Sequence, residues 1–341
     1  MLDRGKILVT GGAGFIGSAL VWALNRHGLC KIVIADFLER SEKWRNLVPL
    51  QFEDYMEADD LLAALDKNPS PLEGVKAVFH LGACSSTTET DAAYLIKNNF
   101  EYTKRLAAWS LAKGARFVYA SSAATYGALE TDLSEDRDLH ALRPLNMYGY
   151  SKHLFDLHAA ASGYADKITG LKYFNVFGPN ENHKGDMRSM VHRAFHQIHE
   201  TGKVRLFRSY RPEFADGEQR RDFLYVKDAV EMTIHLAEDE RRCGLFNVGS
   251  GIAHSWLDLA GAVFAAFAKP PQIEFIEMPE ALREKYQYFT KAEIAKLRAS
   301  GYDQPVTPLK EAVSDYVVNY LQHDRRLGDE QMQAAVVESV A

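Results

Sequence analysis

The chain has 341 residues, 47% of them hydrophobic and 25% charged, with 40 basic against 46 acidic side chains and a formal net charge of −6. At roughly 150 residues per domain the length admits about two domains with a full core, and the apolar fraction excludes a disordered chain. The slight acidic excess argues against general nucleic-acid binding.

Cys30, Cys84 and Cys243 are odd in number and form no CxxC pair, which speaks against a disulfide framework and for a reducing, cytoplasmic setting. No apolar run approaches the roughly 18 residues of a membrane span, and the first strand starts too early for a signal peptide.

Nearly continuous apolar runs alternate with helical patterns through the first half. Strands are predicted at 6–10, 31–36, 75–82 and 116–121, with a helix over 16–27 and a long helical stretch over 92–113. A helix over 146–162 leads into a strand at 171–176. Beyond Gly178 the pattern loosens: helix over 187–201, a polar Arg-rich segment over 205–221, then strand, helix and strand signals at 222–226, 229–236 and 245–248. This order predicts an α/β fold, a Rossmann-type doubly wound parallel sheet with a smaller mixed α/β substrate-binding domain. The expected division is a dinucleotide domain over 1–178 with returning segments at about 221–249, a mainly substrate-binding part over 179–321, and a loosely held tail over 322–341.

Between the first strand and helix, Gly11, Gly14 and Gly17 recur at every third position within Thr10-Gly-Gly-Ala-Gly-Phe-Ile-Gly17. Glycine lets the backbone turn tightly, approach a pyrophosphate and pack strand against helix, while the helix N-terminus meets the anion. Asp36 ends the second strand about twenty residues on, where a carboxylate accepts from a ribose hydroxyl and favours NAD. Arg40, Lys43 and Arg45 follow, and such cations suit a 2′-phosphate, so these residues alone leave NAD and NADP open.

Tyr148 and Lys152 stand one helical turn apart. A free tyrosine, with a pKa near 10, is a poor base, and a neighbouring ammonium stabilises its phenolate. With 16 Tyr in the chain, such a pair arises by chance about once; its position, opening the helix after the strand at 116–121, is what counts. Ser122 at that strand's C-terminal end adds a hydroxyl where ligands of open α/β sheets bind.

Together these elements resemble the extended short-chain dehydrogenase/reductase superfamily, over residues 6 to about 321. Within it, the stretches His80–Glu89, Tyr173–Pro179 with His183-Lys184-Gly185, and Lys285–Thr290 resemble the ADP-L-glycero-D-manno-heptose 6-epimerase family. Ser121–Gly127 and Arg221–Val226 are shared more widely among sugar-nucleotide epimerases. The resemblance implies C6 inversion through a transient 6-keto sugar with bound NADP, in lipopolysaccharide inner-core heptose supply. It implies catalytic roles for Tyr148, Lys152, Ser122 and Lys184.

Carried over motif by motif, the dinucleotide is expected against Gly11, Gly14, Phe15, Ile16, Gly17, Asp36, Phe37, Lys43, Leu81, Gly82, Ala83, Cys84, Ser85, Asn98, Tyr148, Lys152, Val176 and Lys184. The nucleotide sugar is expected against Asn175, Asp186, Arg193, Phe207, Arg208, Ser209, Tyr210, Arg221 and Tyr286. Phe37 stands where the family usually has Asn, Ala58 lies where a lysine is often found, and Asp186 is an unusual neighbour for a phosphorylated substrate. The expected partners are the ADP-heptose substrate and further copies of the chain, with no nucleic acid and no membrane.

His192, His196 and His199 share one helix face at a spacing compatible with metal, yet no HExxH accompanies them and no metal is expected. Acidic residues interleave with the arginines of 205–221, which favours a polar substrate loop over a nucleic-acid patch. A 4,6-dehydratase would need an acid-base pair where Ala123-Ala124 stands. The competing readings are a UDP-hexose 4-epimerase and, from another class, a non-catalytic NADP-binding protein.

Overall fold

The computed structural model describes residues 2–67, 70–283 and 286–330. In chain order its strands are β1 (Lys6–Thr10), β2 (Ile32–Asp36), β3 (Asp54–Glu57), β4 (Val75–His80), β5 (Arg116–Ser122), β6 (Thr169–Tyr173), β7 (Asn175–Phe177), β8 (Val204–Phe207), β9 (Arg220–Tyr225), β10 (Gly244–Val248), β11 (Ala253–Ser255) and β12 (Ile273–Ile276). The helices that matter here are α1 (Phe15–Arg26), α2 (Ala58–Ala64), α3 (Ala92–Leu95), α4 (Tyr102–Ala112), α5 (Met147–Ala161), α6 (Met190–Thr201), α7 (Val226–Glu238) and α8 (Trp256–Ala266).

Seven parallel strands form the central sheet in the order β10-β6-β5-β4-β1-β2-β3, the doubly wound Rossmann-type arrangement. Alternate residues of each strand feed two cores. Ile7, Val9, Ile34, Phe79 and Val118 pack with α1 and α7 on one face; Leu8, Val33, Val78 and Phe117 pack with α2, α4 and α5 on the other. Burial on both faces is why these strands read as unbroken apolar runs. The order reverses between β1 and β4, which opens the crevice where such sheets take ligands.

Smaller sheets complete the molecule: β11-β9-β7, and β8 paired in parallel with β12. On α6, Val191, Ala194, Phe195 and Ile198 are buried at helical spacing. No helix among the described residues is long and apolar enough to cross a membrane.

Three elements differ from expectation. The 92–113 stretch is α3 and α4 joined by a π-helical turn, Ile96–Glu101. The strand expected at 171–176 splits at Phe174, because β6 belongs to the main sheet and β7 to the three-stranded one. The helix expected from 187 begins at Met190, behind the Ser189 N-cap, and a 3₁₀ segment, Asn182–Met187, precedes it. Of the segment read as a tail, Arg326 and Leu327 are buried, and Leu327 N–H donates to Asn180 Oδ1 at 2.9 Å. Residues 331–341 and Lys285 lie outside the described residues.

Asp222 on β9 ties that strand to the turn after β10 and to the segment around Ala292. Its carboxylate accepts from Ser250 N–H, Ser250 Oγ, Gly251 N–H and Ala292 N–H, at 2.7–2.9 Å. Asp222→Ala strands three backbone donors in the interior. The expected loss is about 3 kcal/mol of unfolding free energy, read as a lower urea midpoint; an unchanged midpoint would refute it.

Candidate active site

The glycine turn at the end of β1 is shaped by close approach. A Cβ on Gly17 would lie 2.0 Å from Gly11 O, and one on Gly11 only 2.7 Å from the Gly82 backbone. Gly11 also holds φ +69°, open mainly to glycine. Gly82, which opens the loop after β4, donates its N–H to Thr10 Oγ1 (3.1 Å), and that hydroxyl is hydrogen-bonded to His80 Nδ1 at 2.7 Å. His80 is fully buried, and burial pushes its pKa well below the usual range, so it is a neutral pin between β1, β4 and Thr103. Gly14 caps α1 without a side-chain acceptor, which leaves the first N–H groups of α1 for an anion.

Asp36 accepts from Ala13 N–H, Phe37 N–H and Lys43 Nζ at 2.8–3.0 Å, and Lys43 also donates to Phe37 O at 3.0 Å. The second-strand carboxylate is thus neutralised by a cation seven residues away.

One cavity of about 660 Å³ runs from this turn to α6, β8 and α8. Of the residues expected to act chemically, Ser122, Tyr148, Lys152 and Lys184 all line it; so do Phe15, Ile16, Leu81, Ala83, Ser85, Asn175, Val176, Arg193, Phe207 and Tyr286. The lining holds five cations, Lys152, Lys184, Arg188, Arg193 and Arg205, and no carboxylate among the described residues. Arg188, which the sequence reading missed, keeps a buried Nε without a hydrogen-bond partner.

Tyr148 and Lys152 project from the first turns of α5, which Asn146 caps by accepting from Gly149 N–H at 2.8 Å. Lys152 Nζ donates to Ala120 O at 2.8 Å, and burial lowers its pKa to about 8 against the opposing pull of Asp156. The phenol of Tyr148 is not depressed, as the sequence argument expected, but raised by burial, with the hydrogen bond to Ser122 working the other way. The ammonium is held by a backbone carbonyl, and burial keeps the phenol protonated.

Lys184 comes from the 3₁₀ segment. Its Nζ lies 5.1 Å over the Phe15 ring, and burial lowers its pKa while Glu181 opposes. Asn46 Nδ2 ties this segment to the glycine turn, reaching Ala13 O (3.0 Å), Asn180 O (3.1 Å) and His183 Nδ1 (3.4 Å).

Several expected contacts lie elsewhere. Asp186 is exposed and outside the cavity lining. Arg208 pairs with Asp216 at 2.9 Å, Ser209 N–H donates to Asp216 and Tyr210 OH bonds Glu277, so these three occupy an outer acidic rim. Arg221 is buried under the cavity floor, its guanidinium on Arg220 O and Gln287 O and 5.1 Å over the Tyr286 ring, rather than open to a diphosphate.

Asn98 spends its amide on Tyr94 O. Its neighbour Asn99 is the buried one, accepting from Cys84 N–H and donating to Cys84 O and Ser151 Oγ, and it thereby fixes the Ala83–Ser85 wall. A π-turn, which turns Asn99 inward, leaves no signature in hydrophobic spacing. His192 is buried, stacks 4.7 Å from His196, and is driven by burial to a pKa of about 3. It is a neutral packing residue, and no group of three or more His, Cys, Asp or Glu suited to a metal occurs among the described residues.

The chain matches the model of the NAD dependent epimerase/dehydratase family over residues 7–249. It is 51% identical, over 92% of its length and 97% of the relative's, to the ADP-L-glycero-D-manno-heptose-6-epimerase of Nitratidesulfovibrio vulgaris. Among solved structures it resembles the Helicobacter pylori ADP-L-glycero-D-manno-heptose-6-epimerase, with a TM-score of 0.78, 27% identity and coverage of 93% and 96% of the two chains. It also resembles the UDP-glucuronic acid 4-epimerase of Bacillus cereus, in complex with UDP-glucuronic acid and NAD, with a TM-score of 0.77, 26% identity and coverage of 94% and 100%. The chain therefore belongs to the NAD dependent epimerase/dehydratase family and, within it, to the ADP-L-glycero-D-manno-heptose-6-epimerases.

Proposed function

We propose that this protein inverts C6 of ADP-D-glycero-β-D-manno-heptose to give the L-glycero epimer, using bound NADP, and so supplies activated heptose for lipopolysaccharide. The observation that carries this reading is the single cavity into which Ser122, Tyr148 and Lys152 project from β5 and α5 and Lys184 projects from the 182–187 segment. Its five lining cations, with no carboxylate among the lining residues described, suit a diphosphate-bearing substrate.

The residues present fit a dinucleotide. The cradle at Gly11, Gly17 and Gly82 has no room for a side chain, and the uncapped start of α1 offers backbone donors. Lys43 neutralises Asp36, whose charge would otherwise repel a 2′-phosphate, and this supports NADP. When bound, NADP supplies a hydride acceptor that returns the hydride to the opposite face of the same carbon.

The protein's part is proton exchange in two sugar orientations. Tyr148, held by Ser122, takes or returns the C6 hydroxyl proton in one, and the Lys152 ammonium beside it stabilises the phenolate while that forms. Lys184, with a pKa lowered by burial, exchanges the proton in the other.

Three tests bear on this reading. Lys184→Met is expected to cut C6 inversion, followed by NMR on the ADP-heptose, at least about 100-fold while dinucleotide affinity stays within about threefold; normal turnover would sink the assignment. Product from the native protein in D2O should carry no deuterium at C6, whereas activity on UDP-galactose without ADP-heptose turnover would favour the 4-epimerase reading. Lys43→Ala leaves Asp36 uncompensated, and NADP affinity should fall at least about tenfold, with NAD affinity little changed, in a calorimetric titration. Equal losses for both dinucleotides would remove Lys43 from specificity.

A further inference from the structure

Behind the cavity wall lies a charged pair that the chemistry above leaves unused. Lys172 on β6 and Asp156 on α5 are fully buried, with Nζ 2.7 Å from Oδ2. Asp156 stands one helical turn beyond Lys152 and two beyond Tyr148 on the same helix. Its two oxygens also accept from Tyr119 OH (2.9 Å) and Ser121 Oγ (2.8 Å) on β5. Lys172 donates further to Thr125 Oγ1 (2.7 Å), whose hydroxyl donates to Ser122 O (2.8 Å). The pair therefore grips both residues at the end of β5, directly after Ala120, the carbonyl that holds Lys152.

Stability is a weak reason to keep such a pair. Replacing a buried ion pair with apolar residues of similar volume is often neutral or stabilising. An apolar pair, however, provides neither a fixed strand end nor a fixed charge beneath an active-site lysine.

We propose that Asp156 and Lys172 are positioning residues of the epimerase site, locking the Ser121–Ser122 strand end to the Lys152 face of α5 and fixing a negative charge one turn beneath the Lys152 ammonium. This rests on the reading in which Tyr148 and Lys152 carry the proton exchange. Besides Asp156, the titratable groups facing Lys152 are Tyr148 on its own helix, Cys84 after β4, and His80 on β4, which burial keeps neutral. Around Asp156 itself stand Tyr119, Tyr126, Lys172 and His153, the last held neutral by burial. Burial discharges Lys152 from about pH 8 upward, and Asp156 works against that loss. Removing Asp156 therefore moves the loss of the ammonium, and the basic limb of the rate profile, to lower pH.

The test uses two neutral pairs, Asp156→Asn with Lys172→Met and Asp156→Asn with Lys172→Gln; the second retains hydrogen-bonding groups. Each is compared with the wild-type NADP-loaded enzyme for thermal midpoint and for kcat against pH, with Tyr148→Phe as a control. The expected result is a midpoint close to that of the wild type, a basic limb about one pH unit lower, and kcat at pH 8.5 reduced about tenfold. Asp156→Glu with Lys172→Arg, which keeps both charges, should restore the wild-type limb. A folded neutral pair with wild-type kcat and limb overturns the proposal, as does loss of folding in both neutral pairs, which would make the pair a scaffold alone. If Tyr148→Phe is fully active, the site reading falls and the proposal with it; if it is inactive beside an unchanged neutral pair, only the proposal falls.

Discussion

Like charges crowded into a partly buried space repel, and cations raise that cost when no carboxylate stands between them. Lys152, Lys184, Arg188, Arg193 and Arg205 share one cavity under this constraint, in a chain whose net charge is −6. The compensation sits behind the wall. Lys152 has Asp156 one turn along α5, and Lys184 has Glu181 three residues before it, both carboxylates buried and facing away from the ligand space. Each lysine thus keeps a counter-charge that holds its pKa up against burial, while the cavity itself presents only positive charge to an incoming diphosphate. The arrangement separates the electrostatics of holding lysines in place from the electrostatics of binding.

The same economy of space governs the cofactor end. Gly11, Gly17 and Gly82 bring three backbone segments within side-chain distance of each other. Asn46 then joins the glycine turn to the Lys184 segment through Ala13 O, Asn180 O and His183, while Asn180 donates to Ser18 Oγ on α1 at 3.0 Å and accepts from Leu327. Asn180 holds φ +77° with its side chain fully buried, a conformation an asparagine tolerates when its amide is bonded on both sides. The loop that carries Lys184 is in this way built onto the nucleotide turn and does not hang free over the cavity.

The sheet was legible because both of its faces are buried, so β1, β2, β4 and β5 announce themselves as apolar runs. Tyr148 and Lys152 were legible because helical spacing and chain position coincide. What escaped is set by contacts that no local pattern carries. The Asn98–Asn99 choice depends on a π-turn that rotates one amide inward. Arg188 reaches the cavity because α6 starts at Met190 behind the Ser189 cap, later than hydrophobic spacing suggested. Arg208, Ser209 and Tyr210 face Asp216 and Glu277, partners distant or unremarkable in sequence, and this keeps them on the rim. The direction of the Tyr148 shift was missed for a related reason: whether an ammonium helps a phenol depends on whether a carbonyl already holds it.

That last point bears on how an epimerase of this kind avoids committing to one proton-transfer direction. A tyrosine already ionised would be a base only, suited to removing a proton and poorly suited to returning one. Burial keeps Tyr148 protonated and lowers the pKa of Lys152, bonded to Ala120 O, to about 8. In the proposed exchange, a shift of the ammonium toward the phenol would stabilise the phenolate, and its return to the carbonyl would restore the phenol. On that proposal, reversibility in both sugar orientations requires that the lysine be poised between two acceptors, which places the demand for precision on the residues that fix Ala120 against α5. Those residues are the buried Asp156, Lys172, Ser121 and Thr125.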